Sequence, residues 1–164
     1  MKHQLLTLLV LGSVVLLLSA CKTTSTSYYS YETECMGVEL DGSQTLKAYG
    51  VGRYWIDATE QAKKNAVRDV IFKGNYAGSG ECQKRPILLE VNAHQKYENY
   101  FNVFFRDKGA YAQYVSLRDE RIGAHVPLRM ARSRNSDQSV YSVIVRVKRE
   151  ELKQTLIRDG ILKP

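Results

Sequence analysis

The sequence predicts an α+β fold, a two-layer sandwich in which a mixed β-sheet carries helices on one face. Three observations point there. Ala58, Ala62, Ala66 and Val70 recur every four residues, which is a helical apolar stripe. Tyr141, Val143, Val145 and Val147 alternate with Ser142, Ile144 and Arg146, the period of a strand with one buried face. Along the chain the elements read strand, helix, strand, helix, one or two strands, strand, helix. The 164 residues suffice for about one domain.

Each element has its own signal. Residues 45–53 (TLKAYGVGR) read as a strand, with Leu46, Ala48, Gly50 and Gly52 on one face. Glycines within a strand permit close approach of another backbone. Asp57, with Glu60 three residues on, fits a capping box that opens the alanine-striped helix, and Gly74-Asn75 closes it. Its small side chains predict that it lies close against the sheet. Residues 74–85 form a polar loop. In residues 87–91, Ile87, Leu89 and Val91 face one way and Glu90 the other, as in a half-buried strand.

Residues 94–106 place Tyr97, Tyr100, Phe101, Phe104 and Phe105 on one face of a helix. Such a face forms core or lines a ligand groove. Gly109 breaks the helix, and residues 111–117 read as a short strand. Residues 118–138 are polar and basic, a long hairpin or an excursion from the fold. After the strand at 140–147, a helix over 149–158 turns Leu152, Leu156 and Ile157 inward and stops at Gly160.

The first 20 residues stand apart. Met1-Lys2-His3-Gln4 is a short basic start, and residues 5–18 are apolar except for Thr7, Gly12 and Ser13. These are the parts of a secretory signal, and the run is shorter than the roughly 20 apolar residues of a membrane span. The following Leu18-Ser19-Ala20-Cys21 resembles the lipobox of bacterial lipoproteins. That resemblance implies cleavage before Cys21, diacylglycerol on its thiol, and a further acyl chain such as palmitate on the new amine. Two or more acyl chains hold a protein stably to a bilayer. Residues 21–34 then form a lipidated, polar tether, and residues 35–164 a single domain. Lys22 occupies the position where Asp often retains such proteins in the inner membrane, and no acidic run follows Cys21. These sorting patterns favour the periplasmic face of the outer membrane.

Cleavage would leave 23 basic against 17 acidic residues, about +6. This charge suits a phosphate- or carboxylate-bearing partner. Nucleic acid is not expected, because an exported protein does not meet the chromosome. Beyond Cys21, Cys35 and Cys82 form an even pair in an exported chain and are disulfide candidates. Two separate thiols are the alternative. A bond between them would contribute roughly 3–4 kcal/mol by closing a long loop.

Chemistry-bearing motifs are scarce. After cleavage only His94 and His125 remain, neither at metal-ligand spacing, so no metal is expected. Gly50-Val51-Gly52 begins a dinucleotide fingerprint, but Trp55 stands where its third glycine belongs, and no cofactor is expected. Asp119-Glu120 and Glu150-Glu151 are adjacent acids whose side chains diverge, unlike an acid/base couple. The basic stretch Arg118, Arg121, Arg129, Arg132 and Arg134 is the candidate surface for binding anions or a partner, since guanidinium forks suit carboxylate and phosphate. A solvated loop is its bland alternative.

Ala48-Tyr49-Gly50-Val51-Gly52-Arg53, then Asp57-Ala58 and Gln61-Ala62-Lys63-Lys64-Asn65-Ala66, resembles the LPP20-type lipoprotein family over roughly residues 44–74. The resemblance carries no catalytic residues. It implies a non-enzymatic assembly or scaffold module of the cell envelope, with an envelope protein as partner. Two other readings stand beside it. One is a protein that binds or hydrolyses peptidoglycan, drawing on His94, His125 and the acids at 119–120. The other is a small-ligand carrier using the aromatic face.

Overall fold

The computed structural model describes residues 32–117, 128–132 and 138–163. Within them the fold is α+β. Six strands form one mixed sheet: β1 (Glu34–Val38), β2 (Gln44–Gly52), β3 (Ala77–Gly78), β4 (Val115–Leu117), β5 (Leu128–Arg132) and β6 (Ser139–Val147). The order is β3-β1-β2-β6-β4, with β5 also paired to β6. Only the β1–β3 pair is parallel. The helices are α1 (Trp55–Arg68), α2 (Ala93–Lys96), α3 (Glu98–Phe104) and α4 (Arg149–Arg158).

The sheet is built around β2 and β6, which pair over their full nine-residue lengths, from Gln44 opposite Val147 to Gly52 opposite Ser139. Leu46, Ala48, Val143, Val145 and Val147 point from this pair into the core. α1 lies on the same face, with Ala58, Ala62, Ala66 and Val67 fully buried. The glycines of β2 set its distance. A Cβ at Gly50 would sit 1.9 Å from the Ala58 carbonyl oxygen and 2.7 Å from the Ala62 nitrogen. The Asn65 side-chain amide adds a hydrogen bond to the Tyr49 carbonyl at 2.8 Å.

α1 begins earlier than its capping signal implies. Tyr54 is the N-cap, and its carbonyl accepts from the Ala58 N–H at 3.2 Å. Asp57 therefore lies inside the first turn, where it complements the helix dipole and caps nothing. At its other end α1 widens into a π-turn, Asp69–Lys73, closed by Gly74 N–H on the Asp69 carbonyl at 2.6 Å. Gly74 has φ 82°, and a Cβ there would lie 2.0 Å from the Lys84 carbonyl oxygen.

The strand expected at 87–91 does not form. Ile87 and Leu88 are buried but donate their N–H groups to the carbonyls of Val70 and Ile71, at 3.0 and 2.9 Å. The segment is held by the π-turn and not by the sheet, and Leu89 and Val91 face solvent. The helix expected over 94–106 is two short helices. Tyr97 separates them, with φ −111° and ψ 31°. The segment at 111–117 is half 3₁₀ helix (Ala110–Tyr114) and half strand, β4. The ordered fold also takes in Thr33, which is buried, so it starts before Cys35.

One hydrophobic cluster unites these parts, including Phe101, Phe104, Tyr111, Tyr114, Leu152 and Leu156. Arg149, the first residue of α4, is buried within it and donates to the Arg85 carbonyl at 2.8 Å and the Val70 carbonyl at 3.4 Å. Burial lowers its pKa from the usual arginine value, yet an arginine stays charged, so these carbonyls are what makes its position tolerable.

The backbone-on-backbone contact at Gly50 leaves no room to adapt. Gly50→Ala should destabilise the domain by about 3 kcal/mol or more, since overpacking against main chain has nothing flexible to displace. Gly80→Ala, where a Cβ meets nothing within 4 Å, serves as the control. Urea unfolding midpoints that are equal for the two variants would contradict this account.

Candidate functional site

At the end of the sheet where β2 passes into α1, four large apolar side chains of the segment 51–56 stay in solvent. Val51, Tyr54, Trp55 and Ile56 are 48%, 61%, 50% and 58% exposed. The reason is geometric. Gly52 packs so closely under α1 that a Cβ there would lie 2.7 Å from the Ala58 nitrogen. Tyr54, Trp55 and Ile56 precede Ala58, the first buried residue of the helix. The Arg53 guanidinium lies over the Tyr54 ring, 5.7 Å from its centroid, a cation–π arrangement. Asp57 and Glu60 are the nearby acids. Glu60 is held by Lys63 at 2.9 Å and by the Tyr111 hydroxyl at 3.1 Å.

The basic strand reaches the same end. Ala131 pairs with Val140, which pairs with Val51; Arg132 pairs with Ser139, which pairs with Gly52. Two strand spacings, about 10 Å, thus separate the Arg132 backbone from the β2–α1 turn. Arg129 lies opposite Tyr141 on β5. Arg118, Arg121 and Arg134 lie outside the described residues, as do Cys21, Asp119, Glu120 and His125.

The sheet face turned away from α1 carries a paired ladder. The Tyr49 hydroxyl donates to Glu34 at 2.6 Å, Lys47 meets Glu34 at 3.5 Å, and the Lys47 ammonium stands over the Tyr49 ring. Burial, followed by the Glu34 carboxylate, pushes the Tyr49 phenol above its ordinary pKa. On the same face Glu39 accepts from Thr45 at 2.6 Å and pairs with Arg146 at 3.5 Å.

The aromatic face at 97–105 is core. Phe101, Phe104 and Phe105 are buried against one another and against Phe72, Tyr111 and Tyr114. Tyr97 and Tyr100 pack at its margin. His94 is exposed, with its ring 5.3 Å from that of Phe72. Glu150 and Glu151 are exposed in the first turn of α4, where Lys148 pairs with Glu151. Among the described residues no three His, Cys, Asp or Glu side chains gather as a metal site would need.

Cys35 and Cys82 are joined by a disulfide, both residues buried, their Cα atoms 5.9 Å apart. It fastens β1 to the loop after β3. Close by, the Thr33 hydroxyl donates to Asp69 in the π-turn, fixing the point where the chain joins the domain. Burial raises the Asp69 pKa, against the effect of the Thr33 hydrogen bond and of Lys73 and Arg68.

No family model, curated protein or solved structure matches the chain.

Two outcomes are expected. Replacing both cysteines, Cys35→Ala with Cys82→Ala, should cost about 4 kcal/mol in urea unfolding, the loop-closure value for a separation of 47 residues; a loss below about 1 kcal/mol would refute that account. Because the folded state raises the Asp69 pKa, it binds this proton more tightly than the unfolded chain does. Wild type should therefore gain stability relative to Asp69→Asn as pH falls from 7 toward the unfolded carboxyl value of about 3.9. A difference that stays flat or reverses would remove Asp69 as the cause.

Proposed function

We propose that the protein is a lipid-anchored, periplasm-facing lipoprotein of the outer membrane that serves a cell-envelope assembly by binding, as an accessory or scaffold module. The observation that carries this reading is the Cys35–Cys82 disulfide in a chain that opens with an apolar leader and Leu18-Ser19-Ala20-Cys21. Buried disulfides persist in oxidising compartments such as the periplasm. An acylated Cys21 would hold the chain to the bilayer, and the polar tether would end at Thr33.

Binding is favoured over catalysis by where the polar groups go. Glu34 is engaged by Lys47 and Tyr49, Glu39 by Thr45 and Arg146, and Glu60 by Lys63 and Tyr111. Lys64 engages Asp107, and Lys96 engages Glu90. All but the Glu60–Lys63 pair, which lies within α1, bridge separate segments, each contributing little on its own. Among the described residues the domain offers outward the apolar turn at 51–56, beside other exposed apolar side chains such as Leu89 and Val91, with β5 in register near that turn. Trp, Tyr and Arg are the residue types that dominate binding surfaces.

In-cell crosslinking of the native protein, with affinity recovery and mass spectrometry, should return a reproducible envelope protein. That partner should be lost in Cys21→Ser, which would also leave the membrane fraction. Recovery of peptidoglycan fragments alone, or an unchanged membrane fraction in Cys21→Ser, would overturn the reading.

A further inference from the structure

The geometry points to a contact between the domain and an anionic bilayer: Arg68, Lys73, Arg106 and Lys108, grouped where the tether joins the fold, face lipid phosphates. The inference rests on the anchored reading above and names the flank of the domain that the anchor turns toward the membrane.

The chain enters the fold at this flank. Thr33 is buried, and its hydroxyl donates to Asp69. Asp69 follows Arg68 at the end of α1, so the residue that fastens the tether and the first cation are neighbours, about 3.8 Å apart at Cα. Arg68 stands over the Phe105 ring, 5.1 Å from its centroid. One turn earlier, Lys64 meets Asp107 at 2.5 Å. These two contacts bring Arg106 and Lys108, which flank Asp107, against the same stretch of helix. Lys73, at the far end of the π-turn, acts on the same Asp69 carboxylate as Arg68 does.

The cations here are open and the acids are mostly taken. Arg68, Lys73, Arg106 and Lys108 are exposed, and none has an ion-pair partner among the described residues. Asp107 is held by Lys64, and Asp69 is half-buried beneath the Thr33 hydroxyl. Glu32, exposed just before Thr33, remains to oppose them. By contrast, Lys47 meets Glu34, Lys96 meets Glu90, and Lys148 meets Glu151. A cation without a local carboxylate is free to take an external anion, and arginine forks match phosphate oxygens.

The end of the tether decides which anion is near. Residues 22–33 separate Cys21 from the fold, and a flexible chain of that length has an end-to-end distance of roughly 20 Å. Attraction between exposed charges fades beyond a Debye length of about 8 Å. The flank that carries the tether's root comes within that distance while the tether stays slack; any other flank must draw the tether around the domain. Tethering also keeps the local concentration of lipid high, so a few basic residues suffice. The exposed turn at 51–56 lies at the other end of the 14-residue α1, about 20 Å away, and this contact leaves it to a protein partner.

The lysines report the contact in the unaltered chain. The full lipidated protein is reconstituted into vesicles of phosphatidylcholine, alone or with phosphatidylglycerol, and treated briefly with N-hydroxysuccinimidyl acetate. Mass spectrometry then gives the rate of acetylation at each lysine. Lys73 and Lys108 should react roughly threefold more slowly, or more, on the anionic vesicles. Lys47, on the opposite face of the sheet, should react alike on both. High salt should remove the protection, Arg68→Gln with Arg106→Gln should weaken it, and Glu32→Gln should strengthen it. Protein that floats with the vesicles yet reacts alike at Lys73 and Lys108 on both lipids overturns this contact and leaves the anchor intact. Protection that grows with protein concentration in detergent overturns it in favour of a second copy. Protection seen only in native envelope membranes overturns it in favour of an envelope protein. Failure of wild type to float with vesicles removes the anchored reading and this inference together.

Discussion

The close contact between α1 and β2 at Gly50 is the constraint on which the rest of the structure depends. At that point no strand side chain stands between helix and strand, so their main chains meet at Ala58 and Ala62. Backbone cannot rotate away as a side chain can, and the axial position of α1 is thereby fixed. Both ends of the helix inherit that precision. One end carries Tyr54 and Trp55, both exposed. The other places the π-turn beside Thr33, the chain's point of attachment.

The π-turn turns a local irregularity into a junction. Widening the helix from Asp69 to Lys73 redirects carbonyls that a regular helix would use internally. Val70 and Ile71 instead accept from Ile87 and Leu88, and Val70 also from Arg149. Three remote segments converge on one turn: the end of α1, the chain before α2, and the start of α4. A positive charge is retained in the core because main-chain oxygens take the place of a carboxylate. The disulfide acts nearby on the opposite flank, binding β1 to the loop that follows β3.

What could be seen in the sequence follows from how far each signal reaches. β2, α1, β6 and α4 announce themselves by periodicity within ten residues, and the fold class follows from their order. Ile87, Leu89 and Val91 mislead because alternation describes side chains, whereas a strand also needs a neighbour for its amides; here the neighbour is a helix end distant in sequence. Asp57 misleads because the helix gains a turn from Trp55 and Ile56, residues with no capping chemistry. β1 and β3 are short, and nothing local marks them. The exposed turn was half visible: Tyr54, Trp55 and Ile56 fall where the apolar stripe has not begun, a sign that they have no inward place. In the sequence Trp55 stands out only as an interruption of a glycine motif. Arg129 and Arg132 were marked by composition, but their register beside Gly52 depends on pairings that composition does not encode.

The outer edge of β6 is covered in two pieces. Leu117 pairs with Val145 and Leu128 with Ser142, three register positions along, and ten residues of sequence lie between them. Sheet geometry sets where those residues must start and finish, and it sets nothing about how many there are. Closing a longer excursion costs only a slowly growing entropy. Chain length at this place is therefore set by neither pairing: residues added between Leu117 and Leu128 would leave the register of β4 and β5 on β6 as it is.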